Sequence, residues 1–380
     1  MSSNAAGYCW TVGRLGSQPS DGGGMIHKNN FDLMRLIAAA DVVMQHIGHL
    51  GVKLPSWASI SVVSLATGVP MFFVISGFLV TGSLLASDGS LKRYFRNRAL
   101  RIYPGLWFNL LFILSMLIAF GVVQIPTLFA VGAVEFWTAI LASGSIILAD
   151  RTHSFPFYWN DAVKFWPGGA LWTISVELGF YLLLPLLLPP VARSRRWLAA
   201  GTLGGCGIAS YAFNGMVPTD SIWFFASPIP HFWIFAIGAV ARLFWSEIQA
   251  AFEGKFLFWF AIYLTVHFVS GDQYGPAYFH PGPLATSLTF LLAGCVLSFA
   301  YTWPGVINLH RYDISYGVYL HHMPVLMLLL AFDFRGIVGV AILLPATILA
   351  AAVSWIFIER PALALKHQLP KEQVPVSQLV

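Results

Sequence analysis

One apolar stretch of the 380-residue chain, RLIAAADVVMQH, carries three ionisable side chains, Arg35, Asp41 and His46. On an α-helix, eleven positions make about three turns and rise roughly 16 Å, so Arg35 and His46 would share one face. Asp41 would lie about 240° around the helix from Arg35 and meet a polar partner on a neighbouring helix. A neutral imidazole titrates near neutrality, as a general base must, so this face is a candidate site of proton-transfer chemistry.

Two interpretations of this pair stay open on spacing alone. Arg35 could be an anchor whose guanidinium reaches the membrane surface, with His46 a hydrogen-bonded packing residue. Alternatively, the shared face lines a polar cavity, because charged groups inside a membrane usually face protein or water and mark function.

The composition places these residues in a polytopic membrane protein. Hydrophobic residues make up 57% of the chain and charged residues only 10%, against about 25% charged residues in soluble domains. The mean hydropathy is +0.72 and the isoelectric point near 9.1. Cys9, Cys206 and Cys295 are at unrelated spacings and predict neither a disulfide framework nor a metal site.

Ten apolar stretches are long enough, or nearly so, to cross about 30 Å of hydrocarbon. We predict spans near 30–50, 61–85, 103–124, 170–190, 197–214, 228–244, 256–271, 284–302, 313–333 and 337–358. Another apolar stretch, 136–149, is better suited to an interfacial or re-entrant helix.

The distribution of basic residues predicts the orientation of the spans. With ten spans and a cytoplasmic N-terminus, sixteen lysines and arginines lie inside and four outside, whereas an eleventh span would give ten on each side. We therefore predict cytoplasmic termini and an extracytoplasmic excursion at about 125–169. This bias also explains the net charge of +5 without nucleic acid. Residues 1–29 are expected to be a disordered cytoplasmic tail, in which Met25 is an alternative start, and 362–380 a second cytoplasmic tail.

Six stretches, in this order, together resemble the membrane-bound acyltransferase 3 family of bacterial cell-surface acyltransferases, in its form without a fused esterase-like domain. They are Arg35 to His46; GVPMFFVISGFL, 68–79; RNRALRIYP, 96–104; ALWTISVELGFYLLLPLLLP, 170–189; ISYGVYLHHMP, 314–324; and IERP, 358–361. The departures are modest: Thr173 stands where a serine is common, and Asp41 is an unusual acid in the first helix.

The resemblance implies an all-α acyltransferase domain over 30–361 in the bacterial plasma membrane. It implies transfer of an acyl group, commonly acetyl from acetyl-CoA, to a sugar hydroxyl of a surface glycan, glycolipid or precursor. Acyl-CoA would be a donor substrate, with no permanently bound cofactor, and membrane lipid would surround the protein. The oligomeric state is left open.

The resemblance also suggests roles for the matching charged residues. His46 would act as the base in direct transfer or as a transient acyl acceptor. Arg35 would bind the anionic part of the donor or hold a carboxylate that orients His46. Glu177 would fix the His46 tautomer or stabilise its imidazolium, unless it forms a structural ion pair with an arginine.

The basic segment from Lys92 to Arg101 has two interpretations that are compatible. It is a topology determinant beside anionic lipid. It is also a candidate clamp on the phosphates of coenzyme A, with Arg98 and Arg101 as the contacts because a guanidinium binds phosphate through two hydrogen bonds.

Helical spacing puts Ser315, Tyr319 and His322 on one face, where they could line a cavity with His46, and the family pattern selects His322 over His321. Trp172 is either a membrane-interface residue or a platform for a sugar ring. The remaining motif residues have structural interpretations: Ser76 and Gly77 would allow close helix packing, and Glu359 belongs to the motif after the final span.

A transporter is the rival function, because intramembrane arginine, acidic and histidine residues also form proton relays and substrate pathways. Internal inverted repeats would favour transport, and the sequence shows none. A purely structural membrane scaffold would explain none of the charged residues within the spans.

Overall fold

The computed structural model describes residues 29–52, 67–87, 90–120, 168–188, 195–216, 224, 226–269, 282–303 and 312–368, and within them every regular element is helical. The helices are α1 (Phe31–His46), α2 (Gly68–Leu85), α3 (Leu91–Ala119), α4 (Trp172–Leu187), α5 (Arg196–Asn214), α6 (Phe232–Leu243), α7 (Trp245–Ile248), α8 (Phe256–Val269), α9 (Pro283–Tyr301), α10 (Ser315–Ala331), α11 (Gly336–Ser354) and α12 (Arg360–Gln368). A π-helical turn, Trp355–Glu359, joins α11 to α12. The predicted all-α class therefore agrees with this part of the chain.

Helices of membrane-spanning length and hydropathy are fewer than the ten predicted spans. Within the described ranges, four qualify: Gly68–Leu85, Leu91–Ala119, Pro283–Tyr301 and the continuous Gly336–Lys366. A fifth is obtained if Ile229–Leu243 and Trp245–Ala251, which meet at 78°, form one broken span. The chain is thus a multi-pass membrane protein, and the ten-span count and cytoplasmic termini stay predictions.

A helix occupies part of each predicted span, but several helices are short. Helix α1 has 16 residues, which rise about 24 Å and include charged side chains. Three further apolar helices, α4, α8 and α10, have fewer than 18 residues. The segment 136–149 and nearly all of the predicted excursion lie outside the described residues, as do both tails except for the helix that ends at Gln368.

Helices α2 and α6 pack closely in the core, and two glycines make this approach possible. A Cβ on Gly77 would lie 2.1 Å from the Phe235 carbonyl oxygen, and one on Gly238 would lie 2.1 Å from the Val74 carbonyl oxygen. The two backbones are therefore in direct contact, as small residues at membrane helix interfaces allow. The structure agrees with the predicted packing role of Gly77.

Asp41 connects α1 to the start of α2. Its Oδ2 accepts hydrogen bonds from the Gly68 amide, at 2.8 Å, and from Gln45 Nε2, at 2.6 Å. The first amides of a helix have no partner within the helix, so this carboxylate satisfies one of them. Asp41 thus has the partner on a neighbouring helix that its position predicted.

The basic segment after α2 is helical rather than a turn between spans. Helix α3 begins at Leu91, twelve residues before the predicted span, and the Ser90 hydroxyl accepts a hydrogen bond from the Arg93 amide. Arg98 and Arg101 therefore project from a rigid helix, which fixes their separation along its axis at about 4.5 Å.

Candidate functional site

The candidate site begins with a cavity of about 290 Å³ enclosed by α1, α2, α3, α4, α10 and α12. One part of its wall is cationic, and another part is aromatic and aliphatic. The charged groups that line it are Arg35, Arg98, Arg101, Lys366, Glu177 and Asp313. This "cationic cavity" contains three of the predicted arginines together.

Asp313, immediately before α10, holds two of these arginines in place. Its carboxylate lies 2.6 Å from Arg101 Nη2 and 3.5 Å from Arg35 Nη1, and it accepts a hydrogen bond from the Ser315 hydroxyl at 2.5 Å. Arg35 also pairs with Asp32 at 2.8 Å. Arg35 is therefore fixed by carboxylates inside the bundle and is not simply an anchor at the lipid surface.

Arg98 is held by weaker contacts. Its Nη2 donates to the Ser83 hydroxyl at 3.2 Å, and its guanidinium carbon lies 5.7 Å from the centroid of the Tyr181 ring. Its buried Nε has no hydrogen-bond partner among the described residues. Arg98 thus faces the cavity without a carboxylate partner in that part of the chain.

Glu177 also lines the cavity and is held by hydroxyl groups. The Tyr181 hydroxyl donates a short hydrogen bond to Glu177 Oε1, and the Ser76 hydroxyl donates to the same oxygen at 3.3 Å. Ser76 therefore faces the cavity and also bonds to the neighbouring helix, and its predicted role in close helix packing stays a prediction. Of the adjacent pair, Gly77 makes the backbone contact with α6, and Ser76 points towards α4.

Thr173 and Tyr319 join α4 to α10 where the charged wall ends. Their hydroxyl oxygens are 2.5 Å apart, and both lie within hydrogen-bond distance of the Ala170 carbonyl oxygen, Tyr319 at 2.8 Å and Thr173 at 3.2 Å. Since each hydroxyl has one proton, one of them donates to the other and the second donates to this carbonyl. A threonine supplies the hydroxyl that a serine commonly supplies in the resembled pattern. Tyr319 lines the cavity and its ring centroid lies 5.9 Å from that of His322.

Beyond Tyr319, the His46 and His322 rings face each other. Their centroids are 5.1 Å apart. His46 Nδ1 lies 2.7 Å from the Val42 carbonyl oxygen and His322 Nδ1 lies 2.6 Å from that of Tyr319. Because a carbonyl oxygen only accepts, each neutral ring carries its proton on Nδ1 and presents an unprotonated Nε2. We call these two residues the histidine pair.

The histidine pair adjoins the cationic cavity but does not line it. The structure agrees with the shared face of α1, since Arg35 contacts Asp313 before α10 and His46 contacts His322 within α10. Glu177 makes no recorded contact with His46: the Val42 carbonyl, and not Glu177, contacts His46 Nδ1.

His321, the neighbour of His322, points away from this site. Its ring lies 5.6 Å from that of Phe108 and 6.1 Å from that of Phe112, both on α3. Its Nδ1 also bonds to a backbone carbonyl, that of Gly317 at 2.8 Å. His321 and His322 are both buried, and each bonds to a backbone carbonyl through Nδ1. They differ because the His321 ring packs against α3, whereas the His322 ring faces His46.

The remaining predicted residues lie outside the cavity wall. Glu359, at the end of the π-helical turn, is buried and accepts a hydrogen bond from the Ser354 hydroxyl at 2.8 Å. Trp172, at the start of α4, is half-buried and packs 5.4 Å from the His231 ring. Its two predicted interpretations both stay predictions.

Sequence reasoning missed two charged residues of the cavity, Asp313 and Lys366. Asp313 directly precedes the ISYGVYLHHMP motif, and the need of two buried arginines for a carboxylate is the signal that could have identified it. Lys366 follows the IERP motif in a segment predicted as a tail. The only signal for it is that α12 continues from α11 with Leu363 and Lys366 on one face.

Comparisons with known proteins agree with the sequence resemblance. The acyltransferase domain family matches residues 28–359. Nodulation protein 10 of Rhizobium leguminosarum bv. viciae is 35% identical over 376 residues, which cover 92% of this chain and 97% of that protein.

Two longer proteins are more distant relatives. O-acetyltransferase OatA of Staphylococcus aureus (strain NCTC 8325 / PS 47) is 24% identical over 327 residues, 77% of this chain and 52% of that protein. Putative peptidoglycan O-acetyltransferase YrhL of Bacillus subtilis (strain 168) is 24% identical over 362 residues, 87% of this chain and 54% of that protein. The chain thus matches about half the length of each.

No solved structure matches the chain. The family match nevertheless extends from the residues before α1 to the end of the π-helical turn, and so includes the histidine pair, Asp313 and the three cavity arginines. On this basis, the chain belongs to the acyltransferase 3 family of membrane proteins.

Proposed function

We propose that the protein is an O-acetyltransferase of the bacterial plasma membrane that moves an acetyl group from cytoplasmic acetyl-CoA to a sugar hydroxyl of a surface glycan, glycolipid or precursor. One observation carries the proposal: two imidazoles with unprotonated Nε2 atoms lie between α1 and α10, one to two turns along α10 from the part of these helices that lines the cationic cavity. The names of OatA and YrhL, both O-acetyltransferases, support the same reaction.

The cationic cavity supplies the binding half of this reaction. Arginine guanidinium groups bind phosphates through paired, charge-assisted hydrogen bonds, and Arg98 and Arg101 both face the cavity. Its volume of about 290 Å³ is near the lower end of the range for small-molecule sites, so it would enclose part of coenzyme A. The thioester would then lie towards Thr173 and Tyr319.

The histidine pair supplies the proton-transfer half. His46 Nε2 would accept the proton of the sugar hydroxyl as its oxygen attacks the thioester carbonyl. The carbon–oxygen bond forms, the carbon–sulfur bond breaks, and the imidazolium returns the proton to the departing thiolate. The Val42 carbonyl keeps Nδ1 protonated, which leaves Nε2 to act as the base.

His322 is a positioning residue in this scheme. It faces His46 and has no hydrogen-bond partner on Nε2 among the described residues. Its unprotonated Nε2 would accept a hydrogen bond from a second hydroxyl of the same sugar, and so would orient the hydroxyl that His46 activates between the two rings. Tyr319, bonded to His322 through its backbone carbonyl, links this arrangement to the cavity wall.

The transporter alternative has no support from the relatives, none of which has a name that refers to transport. The family match likewise describes an acyltransferase. Acyl transfer therefore gives a use for the charged residues of the cationic cavity and agrees with the family match and the names of the relatives.

The test is a transfer assay with purified protein in vesicles, acetyl-labelled acetyl-CoA and a panel of surface glycans. We expect label on a glycan with the unchanged protein and a loss of about 10²- to 10⁴-fold in rate with His46→Ala, the usual contribution of a general base. Binding of labelled acetyl-CoA should be retained in that variant.

Two results would overturn the proposal. One is the absence of acetyl-CoA binding by the unchanged protein. The other is full complementation of a surface-acetylation defect by His46→Ala. Incubation with labelled acetyl-CoA without glycan, followed by denaturation near neutral pH, separates the two routes. Label on His46 would show an acyl-enzyme, and its absence from a protein that transfers label to added glycan would show direct transfer.

A further inference from the structure

The cationic cavity contains more positive charge than its carboxylates neutralise. Asp313 pairs with Arg35 and Arg101. Arg98 and Lys366 have no carboxylate oxygen within 4.0 Å in the described part of the chain. Both line the cavity. Cations that face an enclosed space without a counter-charge favour an anionic ligand there.

Glu177, the other acid of the cavity, reduces this positive excess but does not remove it, since four cations and two carboxylates line the cavity. Its recorded partners are the Ser76 and Tyr181 hydroxyls, and no ion pair joins it to a cation within the described ranges. The uncompensated charge is therefore found at Arg98 on α3 and at Lys366 on α12, two helices that pack together.

Lys366 reaches the cavity because the last helix of the described chain closes one side of it. Leu363 and Lys366 are three positions apart on α12, so they lie on the same face, and both line the cavity. Arg360, at the start of the same helix, is exposed and does not line it. Lys366 also lies beyond 28–359, the residues that the family match covers.

We propose that Lys366 binds a phosphate group of the acyl donor together with Arg98, and that α12 is part of the donor site. A lysine ammonium acts as a point charge that can follow a phosphate, whereas Arg98 supplies the directed donors. The inference rests on the proposed function, since it assigns a contact to the phosphates of acetyl-CoA.

The experiment compares Lys366→Gln, Lys366→Arg and Arg360→Gln in the full-length protein in vesicles. It measures the Kd of labelled acetyl-CoA and the inhibition constant of S-acetylpantetheine, which has the thioester but lacks the nucleotide. Arg360→Gln is the matched control because it removes the same charge from the same helix outside the cavity.

We expect Lys366→Gln to raise the Kd of acetyl-CoA by about tenfold, the loss of one charge-assisted contact, with S-acetylpantetheine unaffected. Lys366→Arg should restore most of the binding, and Arg360→Gln should bind as the unchanged protein does. Equal weakening of both ligands, or no change in either, would overturn the role of Lys366 while the proposed function stood. Failure of the unchanged protein to bind acetyl-CoA would instead overturn the donor assignment itself.

Discussion

Helices α1 and α10 meet at two places with opposite electrostatic character. At one, Arg35 faces Asp313 beside a cavity that also contains Arg98, Arg101 and Lys366. At the other, eleven positions along α1, His46 faces His322 and each ring is bonded to a backbone carbonyl. The first place holds fixed charges suited to an anion, and the second holds imidazole rings that can exchange protons.

The two places also differ in how they are held. The cationic cavity depends on Asp313, a single carboxylate shared by two arginines from different helices. The histidine pair depends on hydrogen bonds within α1 and within α10, each spanning three or four residues. Substitutions at the cationic cavity should therefore act by removing a long-range contact. Substitutions at the histidine pair should act by removing one ring.

The largest expected effect on stability comes from Asp313→Ala. It leaves Arg35 and Arg101 inside the bundle without their shared carboxylate, and the loss of one partner of a buried ion pair typically costs about 3–5 kcal/mol. Thermal unfolding in detergent would measure the difference, and donor binding should weaken with it.

The control for Asp313→Ala is Arg335→Ala, which breaks an exposed ion pair. Asp333 pairs with Arg335 at 2.6 Å, but the two side chains are 83% and 49% exposed, so about 0–1 kcal/mol is expected. If both substitutions lowered the unfolding temperature equally, Asp313 would have no special role in holding the arginines.

The second-largest expected effect distinguishes His322 from its neighbour on α10, His321. His322→Gln should lower the rate of transfer by about a hundredfold at unchanged acetyl-CoA binding, because its ring faces His46. His321→Gln should leave the rate close to that of the unchanged protein, because its ring packs against Phe108 and Phe112. Equal effects from the two substitutions would remove the distinction between them.

The smallest expected effect concerns Asp41, which lies on α1 between the two places and takes part in neither. Asp41→Ala removes the acceptor of the Gly68 amide and should lower the free energy of unfolding by about 1 kcal/mol, as the loss of a helix cap does. Asp41→Asn retains an acceptor oxygen and should lose less. A large fall in transfer rate at unchanged stability would instead place Asp41 in the reaction.

Features set by regular helix geometry could be predicted from the sequence. The shared face of Arg35 and His46, the different face of Asp41 and the choice of His322 over His321 follow from positions along single helices and from the motifs. Their observed partners on neighbouring helices agree with those expectations.

Features set by contacts between distant segments could not be predicted. Asp313 and Arg101 are 212 residues apart, so nothing local links them. Ser76 and Gly77 are neighbours on α2, and the packing of α6 and α4 around that helix decides which of them faces the cavity. Lys366 lies after the last recognisable motif, where composition alone does not distinguish a tail from a wall of the site.

The central claim is that the cationic cavity binds the donor and the histidine pair performs the transfer. Its most direct test measures, in one vesicle preparation, the Kd of labelled acetyl-CoA and the single-turnover rate of bound donor for Arg98→Gln and His46→Ala. We expect Arg98→Gln to raise the Kd by about tenfold with little change in the single-turnover rate. We expect His46→Ala to lower that rate with little change in the Kd. Loss of donor binding in His46→Ala, or normal binding with slow transfer in Arg98→Gln, would contradict the division of roles.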